Sequence, residues 1–278
     1  MRFRKVTIIG VGLIGGSIGL ALKKRRLAKE VVGVFRRRST LTKAMRRRAV
    51  DHGTFDLERG VSGADMVIIA TNVGTIPGFA RRAARFMKKG SILTDVGSVK
   101  EDIVNKIEGF LPEGVSFVGA HPMAGGEKAS VAFASAGLFK GTNVILTSTK
   151  DTDKGALRKV SKFWLSLGAR ISIMDPRTHD KKVSMVSHLP HMAAVALCLA
   201  QEKDGLVYAA NGFRDTTRIA SSDPAMWLDI LRDNREFSIR ALDKLIVDLN
   251  DIRMALARKG FRRLLANLKK AKSIRDGV

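Results

Sequence analysis

The run Ile9-Gly10-Val11-Gly12-Leu13-Ile14-Gly15-Gly16-Ser17 constrains this chain more than any other stretch. It contains G-x-G-x-x-G, a pattern that says little alone because glycine triplets are common. Here it follows an apolar strand, Val6-Thr-Ile-Ile9, and opens a helix read from Leu13 to Lys24. That context is what a pyrophosphate-binding turn requires. Gly10 allows the tight turn, Gly12 lets the backbone approach the phosphates, and Gly15 lets helix and strand pack closely. The helix N-terminus adds free N–H donors and partial positive charge. The competing reading is a glycine-rich turn that binds nothing.

Further strands are read at Val31–Phe35, Met66–Ala70, Ser91–Thr94, Val115–Val118, Asn143–Thr147 and Ala169–Met174. Helical patterns over about 40–48, 76–87, 100–110 and 153–167 separate most of them. Short β-branched runs alternating with helices predict an α/β domain with a mostly parallel sheet covered on both faces. After Asp175-Pro176 no strand is read. The segments 181–201, 205–211, 225–249 and 251–272 read as helices. The boundary is therefore expected at 1–175 and 176–278.

The end of the second strand bears on which dinucleotide the turn would take. An NAD-binding chain usually carries Asp or Glu there, holding the ribose 2′-hydroxyl. This chain has Phe35-Arg36-Arg37-Arg38-Ser39-Thr40. Guanidinium groups bind a 2′-phosphate dianion well, so NADP is expected over NAD, with Arg36, Arg37 and Ser39 as contacts. Leu13, Ile14 and Thr71 complete the expected cofactor set. The alternative is that these arginines belong to a generally basic surface, since 50 Lys+Arg against 26 Asp+Glu give a net charge of +24.

Of the five histidines, four sit in distinctive strings. His121 lies in Gly119-Ala-His-Pro-Met-Ala-Gly-Gly-Glu127, read as a loop after a strand and so on the ligand side of an open α/β sheet. His179 precedes Asp180. His188 and His191 form H-x-x-H at the start of a helix. Such a pair suits a metal, but no neighbouring cysteine or clear carboxylate ligand accompanies it, and no metal is expected.

Taken together, these strings resemble the prephenate/arogenate (cyclohexadienyl) dehydrogenase family. The matching pieces are G-x-G-x-x-G, Asp95-Val-Gly-Ser-Val-Lys100, His121-Pro-Met-Ala-Gly125 with Glu127, and His179-Asp180. They continue with Ser187-His-Leu-Pro-His191, Gly212-Phe-Arg-Asp-Thr-Thr-Arg-Ile-Ala220 and Ser222-Asp-Pro-Ala-Met-Trp227. They occur in family order over about residues 6 to 235. The resemblance implies a Rossmann domain followed by an all-α dimerisation domain. It implies oxidative decarboxylation of prephenate to 4-hydroxyphenylpyruvate, or of arogenate to tyrosine, with hydride transfer to a nicotinamide cofactor.

By the same resemblance His121 is the catalytic histidine that meets the substrate hydroxyl, and Ser98 orients it. Arg218 grips a substrate carboxylate, and His191 lies on the substrate side. Glu127, His179, Asp180, His188 and Asp215 fall at supporting positions, and Glu127, His179, His188 and Asp215 are expected on the substrate side. Two departures stand out. Phe35 replaces the usual acidic residue, and Lys-Ala-Ser130 follows Glu127 where a glycine is common. A chain of 278 residues is expected to carry no fused mutase or regulatory domain. Neither substrate is singled out, though His191 favours prephenate.

Two other classes compete. One is another two-domain NADP-dependent dehydrogenase acting on β-hydroxy acids, which typically uses a catalytic lysine from its helical domain. The other is a basic nucleic-acid-binding protein, for which 6% aromatics and a single tyrosine offer few stacking platforms. The expected partners are a small-molecule substrate and a second copy of the chain through the helical domain, with neither nucleic acid nor membrane. The uncharged run 6–22 carries five glycines and is followed by Lys-Lys-Arg-Arg26 rather than a cleavage site. No later apolar run is read as long enough to span a bilayer. Cys198, the sole cysteine, excludes an internal disulfide. A cytoplasmic protein is expected.

Overall fold

A computed structural model describes residues 2–126, 130–202 and 204–277. Its first half alternates β1 (Phe3–Ile9), α1 (Leu13–Lys24), β2 (Ala28–Val34), α2 (Arg38–Arg46), β3 (His52–Thr54), α3 (Leu57–Val61) and β4 (Met66–Ile69). The chain continues through α4 (Ile76–Ala84), β5 (Ile92–Asp95), α5 (Glu101–Glu108), β6 (Ser116–Pro122), β7 (Asn143–Thr147), α6 (Lys154–Ser166) and β8 (Arg170–Met174).

The eight strands form one sheet in the order β3-β2-β1-β4-β5-β6-β7-β8. Every neighbour pair is parallel except β6 with β7. The sequence dictates this burial. Val6, Ile8 and Ile9 of β1 and all of Met66-Val-Ile-Ile69 are almost wholly buried, as strands covered on both faces must be. Two apolar clusters lie on the two faces, one centred on α1 and α6, the other on α4 and α5. From β1 the chain runs outward to β3 and then returns to β4 on the other side. The crevice at this reversal, at the carboxyl ends of β1 and β4, is where an open α/β sheet binds ligand.

The second half is helical: α7 (Pro176–Val183), α8 (Leu189–Leu199), α9 (Asn211–Thr217), α10 (Pro224–Asp233), α11 (Arg235–Ala257) and α12 (Phe261–Asp276). A π turn at Ser184–His188 joins α7 to α8. Pro190, at the start of α8, lacks an N–H and its ring would crowd the carbonyl a turn back; the wider turn relieves both conflicts. The resulting helical stretch Pro176–Leu199 is 24 residues long and apolar enough, by length and composition alone, to cross a membrane. That corrects the expectation that no run after residue 22 reaches such a length. Proline and charged residues interrupt the apolar pattern in the sequence, yet the helix runs on through the π turn.

Several boundaries differ from the sequence reading: the segment 205–211 holds only a short 3-10 turn at Gly205–Tyr208, and α9 begins at Asn211. Helix 225–249 is broken at Asn234, whose backbone leaves the helical region at φ −116°, ψ 37°. No break occurs at 250; α11 continues to Ala257 and ends where Lys259 adopts φ 55° before Gly260. Short β3 and α3 were not anticipated.

Candidate active site

The glycine turn has the geometry its sequence demands. Gly10 sits at φ 90°, and a Cβ there would stand 2.6 Å from the carbonyl oxygen of Ala70, just after β4. A Cβ at Gly15 would stand 2.2 Å from the Gly10 oxygen. Only glycine allows both the left-handed turn and this helix–strand approach. Gly12 caps α1 without a side-chain hydrogen bond, leaving the first-turn amides for a ligand. A cavity of about 310 Å³ lies over the turn, lined by Gly10, Gly12, Phe35, Arg36, Arg37, Thr40 and Thr71, among others. Phe35 is buried where an acidic residue would hold a ribose, while Arg36 and Arg37 are exposed at the rim. Ser39 lies in the first turn of α2, outside the residues that line this cavity, and Thr40 lines it instead. The cradle fits a dinucleotide.

A second cavity, about 600 Å³, adjoins it and shares Gly12, Thr71 and Asn72. The sheet domain lines one side with Leu13, Ile14, Ser98 and His121. The helical domain lines the other with Ser187, Pro190, Arg218, Met226 and Trp227. His121 and Arg218, 97 positions apart in the chain, therefore face one space. His121 does not sit in a loop, as its string suggested. It belongs to β6, paired with Ile145 of antiparallel β7, so its backbone is held by the sheet.

Behind His121 lies a chain of polar contacts. Its Nδ1 is 2.8 Å from His179 Nε2, and His179 Nδ1 is 2.7 Å from Asp180 Oδ1. Asp180 also accepts the backbone N–H groups of Lys100 and Glu101, at 2.8 and 2.9 Å. Both ring nitrogens of His179 are thus engaged within the protein, and the residue is wholly buried. No ring atom of His179 remains for the substrate side where the sequence put it. The ring contact found for His121 is with His179, and Ser98 lines the same cavity. Burial lowers the His121 pKa well below the usual histidine value, with His179, Lys100 and His188 adding to the shift. Burial also lowers His179, against the pull of Asp180.

His188 lies deeper than the cavity surface. Its Nδ1 is 3.2 Å from Asn234 Nδ2, which also donates to the Asp180 carbonyl at 2.9 Å. Burial pushes its pKa down to about 4. His191 packs face to face on Trp227, and its Nδ1 and the Trp227 Nε1 are buried without a protein partner. Asp215 is exposed on α9, outside the residues lining the cavity. Glu127 lies outside the described residues. His52 is on edge strand β3, 4.0 Å from Glu30. No cluster of three or more His, Cys, Asp or Glu suited to a metal occurs among the described residues.

Sequence reasoning missed two supports. Lys100 and Asp95 form an ion pair that is fully buried beneath the site; both stood in a recognised string, and only their pairing was unread. Asn234 gave no signal, since a lone asparagine reads as a helix break or a surface residue.

A dinucleotide cradle at the sheet reversal, opening into a histidine-lined cleft closed by a helical domain, defines a two-domain nicotinamide-dependent dehydrogenase. Residues 18–173 match the family described as "Prephenate dehydrogenase, nucleotide-binding domain", and residues 175–270 match "Prephenate dehydrogenase, dimerization domain". The chain belongs to the prephenate/arogenate dehydrogenase family. It is 36% identical to prephenate dehydrogenase of Bacillus subtilis over 98% of this chain and 76% of that one. It is 32% identical to cyclohexadienyl dehydrogenase of Zymomonas mobilis, over 98% and 95% of the two chains. The crystal structure of A. aeolicus prephenate dehydrogenase with hydroxyphenyl propionate and NAD+ superposes with a TM-score of 0.92 at 33% identity, covering 100% of this chain and 99% of the other.

Proposed function

We propose that this enzyme carries out the family's oxidative decarboxylation with prephenate as its preferred substrate and NADP as its hydride acceptor. A bound nicotinamide supplies the acceptor for the hydride leaving the carbinol carbon. The chain's own residues do the rest. His121 Nε2 takes the hydroxyl proton, and a neutral imidazole is in the right state to do so because burial keeps its pKa low. Arg218 holds a substrate carboxylate across the cleft from it. The ring carboxylate departs as CO₂, and its bonding electrons complete the aromatic ring. Ser98 belongs to the wall that positions His121 and the substrate.

One observation carries this reading: His121 from the sheet and Arg218 from the helices line a single cavity that adjoins the glycine turn. NADP is supported by buried Phe35 in the acidic position and by Arg36 and Arg37 at the rim. Prephenate over arogenate is supported by His191, which does not line the cavity itself but packs on Trp227 of its wall, with a buried Nδ1 that lacks a protein partner. A dimer through the helical domain is supported by the dimerization-domain match. The exposed apolar residues of α11 and α12, among them Ile246, Leu249, Ile252, Phe261, Leu265 and Leu268, point the same way. The reading includes a domain boundary at 175/176 and a cytoplasmic setting, where its dinucleotide is held.

The deciding experiment is a spectrophotometric assay crossing prephenate and arogenate with NADP and NAD. Highest kcat/KM with prephenate and NADP is expected. Higher kcat/KM with NAD would overturn the cofactor assignment, and higher kcat/KM with arogenate the substrate assignment.

A further inference from the structure

Resting on the reading of His121 as proton acceptor, we infer that His179 and Asp180 are positioning residues for it, so that the base of the sheet domain is completed only by the docked helical domain. Donor and acceptor requirements fix every proton in the chain of contacts. The two oxygens of Asp180 accept backbone N–H groups, Lys100 N on Oδ1 and Glu101 N on Oδ2. With both oxygens accepting, the carboxyl group meets His179 as an acceptor. His179 Nδ1, 2.7 Å away, therefore carries the proton. Neutral His179 then presents a lone pair at Nε2, and His121 Nδ1, 2.8 Å away, must donate to it. That assignment leaves the His121 lone pair on Nε2, the nitrogen free to meet a substrate hydroxyl. The opposite tautomer would set two lone pairs against each other at the same 2.8 Å.

The relay crosses the domain boundary. His121 belongs to β6, while His179 and Asp180 belong to α7, the first helix after the sheet. Asp180 also reaches back to the first turn of α5 in the sheet domain, so one carboxylate both docks the domains and anchors the relay. The groups facing His121 are His179 and Asp180 from α7, His188 from the π turn, Lys100 with Asp95 from the β5–α5 segment, and Arg218 across the cavity. Lys100 is paired with Asp95 beneath the site, and as a cation it opposes protonation of His121. The carboxylate aligned with the relay is thus the one that stabilises His121 as it becomes imidazolium.

The test uses the full chain carrying His179→Gln, Asp180→Asn or His121→Asn. It measures kcat and KM against pH with prephenate and NADP, alongside cofactor affinity and thermal stability. For His179→Gln and Asp180→Asn, kcat is expected to fall roughly 10- to 100-fold, as for other groups that orient a functional histidine. KM and cofactor affinity should stay within about twofold. In Asp180→Asn the acidic limb of the kcat profile should move to lower pH, because the anion that favours imidazolium is gone. Unchanged kcat and an unmoved limb in both variants overturn the inference. So does a loss of activity that merely tracks the loss of folded protein. His179→Gln keeps the Asp180 contacts to α5 and decides the matter if Asp180→Asn does not fold. Failure of the underlying reading looks different: His121→Asn would itself retain kcat.

Discussion

His191 lies flat on Trp227, ring centroids 3.5 Å apart and planes within 6°. Trp227 also lines the cleft from α10, so one indole fixes the imidazole and shapes the substrate space. The contact ties α8 to α10 beside the Arg218 segment. Burial lowers the His191 pKa, while a hydrogen bond to the Ile219 backbone opposes the shift. Replacing Trp227 by Leu removes the platform while leaving an apolar side chain. An aromatic contact is worth about 0.5–1.5 kcal/mol, so KM for substrate should rise roughly 2- to 12-fold. Steady-state kinetics on Trp227→Leu check this, and an unaltered KM would show that the stack does not shape the substrate site.

Arg218 reaches the same cavity from the helical side. A charge-assisted hydrogen bond contributes about 1.5–3 kcal/mol. Arg218→Ala should therefore raise KM for substrate by roughly 10- to 100-fold, with a smaller change in kcat and none in cofactor affinity. Initial-rate measurements at saturating NADP separate these effects.

Arg36 and Arg37 stand at the rim of the glycine-turn cavity. The double variant Arg36→Ala/Arg37→Ala should lower kcat/KM with NADP by about tenfold or more, since each lost charge-assisted contact weakens binding. With NAD, kcat/KM should stay within about twofold, because that ligand has no 2′-phosphate to lose. Equal losses with both cofactors would return these arginines to the general basic surface.

Much of the fold was legible because the strongest sequence signals were also the most local. Met66-Val-Ile-Ile69 is wholly buried, and such a β-branched run reads as a central strand without help from distant residues. Gly10 and Gly15 announced a turn whose close contacts are within the segment, with Ile8 of β1, or with Ala70 and Thr71 just after β4. The members of the site were named by their strings, but its wiring was not. No spacing rule places His179 Nε2 beside His121 Nδ1, 58 residues away. Asn234 breaks a helical pattern to serve the Asp180 carbonyl and His188, a tertiary demand that local propensity does not record. The π turn was hidden because Pro190 reads as a helix start rather than as the cause of a widened turn.

Acid sensitivity follows from His188. Its pKa falls from 6.5 to about 4 on burial, so the unfolded chain takes up this proton first as pH drops. Stability is present above the unfolded value and is lost as pH falls between the two; His121, also lowered, adds in the same direction. A tenfold change in proton affinity corresponds to about 1.36 kcal/mol, which makes the His188 contribution about 3 kcal/mol. Thermal denaturation followed from pH 7 down to about 4 should show a falling Tm, with a shallower fall in His188→Gln. Parallel curves would show that His188 is not buried as a neutral group.

The buried Lys100–Asp95 pair supports the same wall from beneath. Asp95 Oδ2 accepts the Gly97 N–H at 2.8 Å as well as the Lys100 ammonium, and Oδ1 accepts the Ala120 N–H at 3.2 Å. One carboxylate thus joins the Ser98 loop to the residue before His121. Lys100→Met fills the space of the lysine stem but leaves the anion unpaired in the interior. Breaking a buried pair in this way costs about 3–5 kcal/mol. Asp95→Asn/Lys100→Met removes both charges and keeps an oxygen for one backbone N–H, so it should be more stable than Lys100→Met alone. Denaturant unfolding of the wild type and both variants makes the comparison. If the double variant is no more stable than Lys100→Met, the cost lies in lost packing of the lysine stem rather than in the stranded carboxylate.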